Sequence, residues 1–228
     1  MVGGMGRHHH APPLSGVPPG SVSHLSTRHL CAERTPPRRA AESGVMRHFQ
    51  LIAQNIDVLP LLLDLYRQPS LWDQHDARTN HEGAFTGTSD IWLRFRAQHE
   101  LREPEDYVDP FTPVFYPAWD RLPHARPIVF GLMARCEAVQ LGGVMVTRVP
   151  PGQSVKPHRD LDRWHASFFN LKVYIPLTTN PSVVSTCGDE VCVMAPGSAW
   201  SFPNDLVHST VNDGDTDRIT LITCLRVE

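Results

Sequence analysis

The sequence predicts a mainly β protein with flanking helices, folded as a double-stranded β-helix, or jelly roll. Three observations carry that expectation. From residue 139 onward the chain breaks into short segments rich in β-branched and aromatic residues. Turn signals at Pro151-Gly152, Gly188-Asp189, Pro196-Gly197 and Asp213-Gly214 separate them. The helical periodicities lie earlier in the chain, where they can supply helices packed on the outside. Strands are expected at 139–149, 168–176, 183–186, 191–195, 199–202, 206–211 and 218–227. Many short antiparallel strands with regular turns and no internal repeat imply a sandwich or small barrel.

The elements before residue 139 follow from composition and spacing. Residues 1–45 hold six Pro, six Gly, five Ser and five Arg with little apolar periodicity. Such a segment buries too little surface to offset its ordering entropy, so a disordered tail is expected, followed by a single domain over 46–228. Met46, where the texture changes, is a candidate alternative start. Phe49, Leu51 and Ala53 alternate as in a strand, and Asp57 is placed to N-cap a short helix over 59–66 that Pro69 stops. A second strand is expected at 91–95. Residues 103–123, with several prolines and aromatics, read as a long irregular loop able to cover a site. A helix follows with Pro127 near its first turn and Ile128, Leu132 and Cys136 on one face.

Bulk properties leave several function classes without support. The formal net charge is −3, and removing the five Arg and two Glu of residues 1–45 leaves −6 for the rest. No basic field therefore argues for nucleic acid, and no apolar run is long enough for a membrane span or a secretory signal. A cytoplasmic protein without a nucleic-acid partner is expected. Five cysteines without a CxxC spacing suit neither a disulfide framework nor a thiolate zinc site. The turn at Gly188-Asp189 pairs Cys187 with Glu190 and Cys192 with Ser185, which puts a Cys187–Cys192 disulfide out of register.

The chemistry concentrates in His158-Arg159-Asp160 and His208. Two imidazoles and one carboxylate on one face of a metal leave the opposite positions open for a bidentate ligand and dioxygen. His158 and Asp160 are two apart, so an extended backbone points both the same way. Asn212-Asp213-Gly214 reads as a three-residue hairpin loop with Gly in the left-handed position, which pairs Val211 with Asp215 and places His208 opposite Arg218. An arginine there suits the far carboxylate of a metal-bound dicarboxylate, because its planar fork donates two charge-assisted hydrogen bonds. With 13 His in the chain a lone His-x-Asp means little; the argument is the combination inside a run of short strands.

Over about residues 93–226 the sequence resembles the aspartyl/asparaginyl and proline β-hydroxylases, which are iron(II)- and 2-oxoglutarate-dependent oxygenases. The resemblance rests on "TRVPPGQSVKPHRD", "FNLKVYIPLTTNP" and "MAPGSAWSFPNDLVHSTVNDGDTDRITLITCLRV". It implies His158, Asp160 and His208 as iron ligands and Arg218 on the 2-oxoglutarate C5 carboxylate. Lys172 stands where the family often has Arg, and Tyr174 where it often has His. The two are candidates to line the cosubstrate pocket, against the plainer reading of a strand-face charge and a core residue. The implied reaction hydroxylates an unactivated carbon of an amino acid or amino-acid residue, with dioxygen as partner and succinate and carbon dioxide as products. Trp164 and His165 are candidates for substrate contact, Trp92, Trp200 and Phe202 for the core, and Asn204 for the turn before His208. The competing reading is a non-catalytic, cupin-like protein that holds a structural metal or a small acid; a merely structural metal would have no need of Arg218 opposite its ligand.

Overall fold

In a computed structural model, residues 46–80, 82–101, 109–160 and 164–228 are described. Eleven strands are found among them: β1 Gln50–Ala53, β2 Ser89–Phe95, β3 Val114–Phe115, β4 Gln140–Val149, β5 Ser154–His158, β6 Leu171–Thr178, β7 Val183–Cys187, β8 Glu190–Cys192, β9 Ala199–Ser201, β10 His208–Asn212 and β11 Arg218–Arg226. Helices α1 Leu59–Arg67, α2 Ala118–Arg121, α3 Ala125–Arg135 and α4 Trp164–Phe168 flank them. All pairings are antiparallel and form two sheets. One has the order β1-β9-β6-β11-β4-β2-β3 and the other β5-β10-β7-β8. The expected jelly-roll architecture is present.

The period of two along each strand of the larger sheet decides what faces what. Ile91 and Leu93 of β2, Val144 and Val146 of β4, Val173 and Ile175 of β6, and Leu221 and Leu225 of β11 turn to one face. There they pack with Leu61 and Leu65 of α1, Trp119 of α2, and Val129 and Leu132 of α3. The alternate residues Trp92, Met145, Thr147, Lys172, Tyr174, Arg218 and Ile222 line the cavities on the opposite face. A second, smaller cluster of Phe49, Tyr174, Cys187, Met194, Phe202 and Ile222 joins the two sheets there. Because both faces are covered, β11 is buried along nearly its whole length, which explains its continuous apolar texture.

Local expectations mostly hold, with instructive exceptions. The β7–β8 turn has Gly188 at φ 57, and its register pairs Cys187 with Glu190 and Ser185 with Cys192 as expected. Cys136, Cys187, Cys192 and Cys224 are free, and burial pushes the Cys192 and Cys224 thiols up to about 11. Gly197 adopts φ 71 at the Pro196-Gly197 turn, where a Cβ would lie 2.6 Å from the Ile56 carbonyl oxygen. Asp57 does not occupy the N-cap of α1, which is Val58, but its carboxylate accepts the Leu59 N–H at 3.2 Å. Phe168 closes α4 instead of opening a strand, and the Phe169 N–H continues the helical pattern by donating to the His165 carbonyl at 3.0 Å.

The described part of the proline-rich stretch 103–123 is irregular over 109–113 but not beyond. It adds β3 to the edge of β2 and turns into α2, whose Trp119 is buried. The expectations for residues 1–45, including Cys31, lie outside the described residues. None of the helices among the described residues is long and apolar enough to cross a membrane.

The largest departure concerns the last turn. β10 and β11 do not form a hairpin. Both edges of β10 are taken by β5 and β7, and both edges of β11 by β4 and β6. Residues 213–217 therefore carry the chain from one sheet to the other, Gly214 has no left-handed φ, and Arg218 pairs with Val149 and not with His208. Asn212, fully buried, organises the crossing. Its Nδ2 donates to the carbonyls of Val149 at 2.8 Å and Thr216 at 2.9 Å, and its Oδ1 accepts from Asn180 Nδ2 and the Gly214 N–H.

Candidate metal centre

His158 ends β5, which the sequence reading did not assign as a strand, and His208 begins β10; the two are direct cross-strand partners. Their rings lie 4.2 Å apart between centroids. Asp160 follows two residues after His158, and its backbone N–H donates to the Asn204 carbonyl at 2.8 Å, which fixes the carboxylate beside the imidazoles. Ligand atoms of His158, Asp160 and His208 all fall within 4.8 Å of one another. Each imidazole is oriented by its backbone: His158 Nδ1–H donates to the Lys156 carbonyl and His208 Nδ1–H to the Leu206 carbonyl, both at 2.9 Å. That leaves Nε2 of each ring as the acceptor, which is the tautomer a metal needs.

Electrostatics favour the same state. Burial lowers the His158 imidazole below its usual range and pushes His208 down to about 4, so both are neutral near pH 7. Burial would raise Asp160, but the Lys172 ammonium, with the two imidazoles, holds it far below the usual carboxylate range. The two carboxylate oxygens are divided. Oδ1 lies 3.7 Å from His158 Nε2, while Oδ2 accepts from Lys172 Nζ at 2.7 Å. One oxygen thus faces the imidazoles and the other is committed to the lysine. The donor set and its tautomers fit a divalent iron with open positions.

The remaining expected residues come together around one cavity, lined by His158, His208, Lys172, Tyr174 and Arg218 together with Ser185 and Thr210. Arg218 reaches it from the facing sheet and not as a cross-strand neighbour of His208. Its residue is 4% exposed, and its guanidinium has no hydrogen-bond or ion-pair partner among the described residues. Burial lowers it to about 10, so it remains a cation. Tyr174 donates its hydroxyl to Asn204 Oδ1 and stacks on Phe202 at 4.5 Å. Asn204 is therefore more than a turn residue, since it ties Tyr174 to the Asp160 backbone. His165 is buried, with Nε2 accepting the Gly143 N–H at 3.0 Å. Trp164 is half-buried and stacks on Phe168. Trp92 and Phe202 are buried as expected, and Trp200 is half-buried against the smaller cluster.

Sequence reasoning missed one part of the site, the segment around Arg78 and Phe85. Arg78 donates through Nε and Nη2 to the Asp90 carboxylate at 2.8 and 2.7 Å, and to Thr147 Oγ1 at 2.9 Å. Its guanidinium lies 3.9 Å over Phe85, which in turn packs edge-on to His158. The available signal was Asp90, a carboxylate two positions before Trp92 on the same face of a strand whose centre is apolar.

A jelly roll with a His-Asp-His cluster between its sheets and a buried arginine beside it has the make-up of a non-haem oxygenase. A model of the aspartyl/asparaginyl β-hydroxylase family matches residues 69–226, and the chain belongs to that family. It is accordingly an enzyme, a hydroxylase of the iron(II)- and 2-oxoglutarate-dependent type. Family membership implies iron, 2-oxoglutarate, a substrate and dioxygen. Among solved structures, a 2OG-Fe(II) oxygenase-family oxidoreductase from Burkholderia pseudomallei is 14% identical, covering 71% of this chain and 78% of that one with a TM-score of 0.45. The viral collagen prolyl hydroxylase of Paramecium bursaria Chlorella virus-1 is 11% identical over 80% of this chain and 97% of its own, also at 0.45. A cupin domain from Bordetella pertussis is 21% identical over 39% of this chain and 84% of its own, at 0.31. No curated protein matches.

Proposed function

We propose that the chain hydroxylates an unactivated carbon of an amino acid or amino-acid residue, with His158, Asp160 and His208 holding iron(II) and Arg218 anchoring 2-oxoglutarate. The observation that carries this reading is Arg218. A guanidinium buried without an acceptor costs several kcal/mol unless an anion completes it. The cavity it opens into is the one that His158 and His208 line, so a dicarboxylate chelating a metal there would bring its far end to the arginine. A cupin-like protein holding only a structural metal has no use for such a group.

Each residue then has a task. Iron(II) supplies the redox chemistry that couples dioxygen to a keto acid and a C–H bond. His158 and His208 are kept neutral by burial and aimed by their backbone carbonyls. Lys172, which the family resemblance places near the cosubstrate, holds Asp160 Oδ2 so that the carboxylate offers one oxygen. Tyr174 forms part of the cosubstrate wall, kept protonated by burial. The overall balance is R–H, O2 and 2-oxoglutarate giving R–OH, succinate and carbon dioxide, with one oxygen atom in each of the first two products.

The test is succinate release from 2-oxoglutarate by protein reconstituted anaerobically with iron(II) and then exposed to air. Release that requires iron and disappears in Asp160→Ala supports the reading. Absence of any iron-dependent release, with or without amino acids, moves the small-acid-binding alternative to the front.

A further inference from the structure

Besides the space under Arg218, a second chamber starts at Asp160. It runs along the inner face of the seven-stranded sheet and is bounded by α4, and its walls are Phe85, Trp92, Phe95, Met145 and Ile222. Three basic groups also reach it, and each is already engaged. Arg78 is clamped bidentately by Asp90 and bonded to Thr147. Lys172 is paired with Asp160 at 2.7 Å, and His165 accepts the Gly143 N–H. Arg218, whose guanidinium has no partner among the described residues, lies in the other cavity.

These pairings decide what the chamber accepts. A carboxylate entering it gives up its water and meets only cations whose charge is already answered by Asp90 or Asp160. A carboxamide brings two donors and an acceptor to a wall of rings and methyl groups. An aliphatic or aromatic group loses nothing on leaving water and gains contact with five apolar side chains. The Trp92 indole N–H is buried and has no hydrogen-bond partner among the described residues.

We infer that this chamber takes an uncharged, apolar side chain or ring, so that the substrate is an apolar amino acid or residue, not the aspartate or asparagine of the family description. The inference rests on the oxygenase reading, since it assigns the C–H partner of that reaction. Asp160 lines this chamber, His158 and His208 line the Arg218 cavity, and Lys172, paired with Asp160, borders both, so one metal ion held by the three ligands can address a cosubstrate on one side and an apolar C–H bond on the other.

The experiment uses the full chain loaded with iron(II) and 2-oxoglutarate, first checked anaerobically for the visible metal-to-ligand charge-transfer band. Leucine, phenylalanine, proline, aspartate and asparagine, each free and as its N-acetyl amide, are then compared at equal concentration for stimulated succinate release in air. At least one apolar probe should exceed aspartate and asparagine by about tenfold or more, the usual span of discrimination by an apolar pocket. Ala166→Phe, which fills the chamber from α4, should abolish that stimulation and leave the band; Ala166→Leu serves if the larger side chain disturbs it. Preferential stimulation by aspartate or asparagine overturns the inference. So does an apolar response that survives filling of the chamber, or no response from any apolar probe in a protein that shows the band. Absence of the band in the parent is a different result, because it refutes the oxygenase reading itself.

Discussion

The two faces of the seven-stranded sheet come from alternate residues of the same strands, yet they are built on opposite principles. Toward the helices, Leu221, Leu225, Val144, Val146 and Ile175 are almost fully buried and hold the fold by hydrocarbon packing alone. Toward the four-stranded sheet, the same strands present Arg218, Lys172, Tyr174 and Thr147 to a cavity. The first face stabilises, while the second gives up stability to keep charges and neutral imidazoles poised for ligands. Mutations on the two faces should therefore separate folding from binding.

The largest effect belongs to the helix side. Leu221→Ala should cost about 2–5 kcal/mol in urea unfolding, because a large buried side chain leaves a cavity that rigid neighbours fill poorly. Metal affinity per folded molecule should be unchanged, and a parallel loss of metal binding would break the contrast. On the cavity side the next effect is pH dependence of the metal-free protein. His208 sits at about 4 when folded, against about 6.5 unfolded. The unfolded chain thus takes up the proton first, so stability is full above pH about 6.5 and falls toward pH about 4 by on the order of 3 kcal/mol. Urea curves at pH 7.5 and 4.5 should show that loss, and His208→Gln should remove much of it.

Arg218→Met has two signs. It removes a buried, unpartnered charge, so the apoprotein should melt no lower than the parent and should instead gain stability. Affinity for 2-oxoglutarate, read by equilibrium titration, should fall about 100-fold, in keeping with loss of a charge-assisted pair. A destabilised variant that binds 2-oxoglutarate normally would remove the assigned role. Lys172→Met should be the mildest, weakening metal binding about 10- to 100-fold, as is usual when the group that orients a ligand is lost. Lys172→Arg should restore part of it, measured with manganese(II) by electron paramagnetic resonance.

The same contrast explains what could be read from the sequence. Strands of the larger sheet were legible because alternation and turn residues are local signals, and the β7–β8 register followed from Gly188-Asp189 alone. His158 and Asp160 were legible for the same reason, being two residues apart on extended backbone. Arg218 was expected within reach of His208, and the two do line one cavity, but not as the cross-strand pair that was expected. The Asp213-Gly214 signal suggested a hairpin, but nothing local shows that β10 and β11 each already have two neighbours, or that Asn212 caps the crossing between sheets. Arg78 was invisible, since its pairing with Asp90 and stacking over Phe85 arise in a stretch without periodicity.

The central claim is that one metal held by His158, Asp160 and His208 receives a dicarboxylate whose far end rests on Arg218. Anaerobic titration of the apoprotein with iron(II) and 2-oxoglutarate, followed by the visible charge-transfer band, tests it most directly. The account requires a band in the parent, none in His208→Ala, and in Arg218→Ala a band that needs far more 2-oxoglutarate. A parent without the band, or a His208→Ala variant that keeps it, would contradict the account.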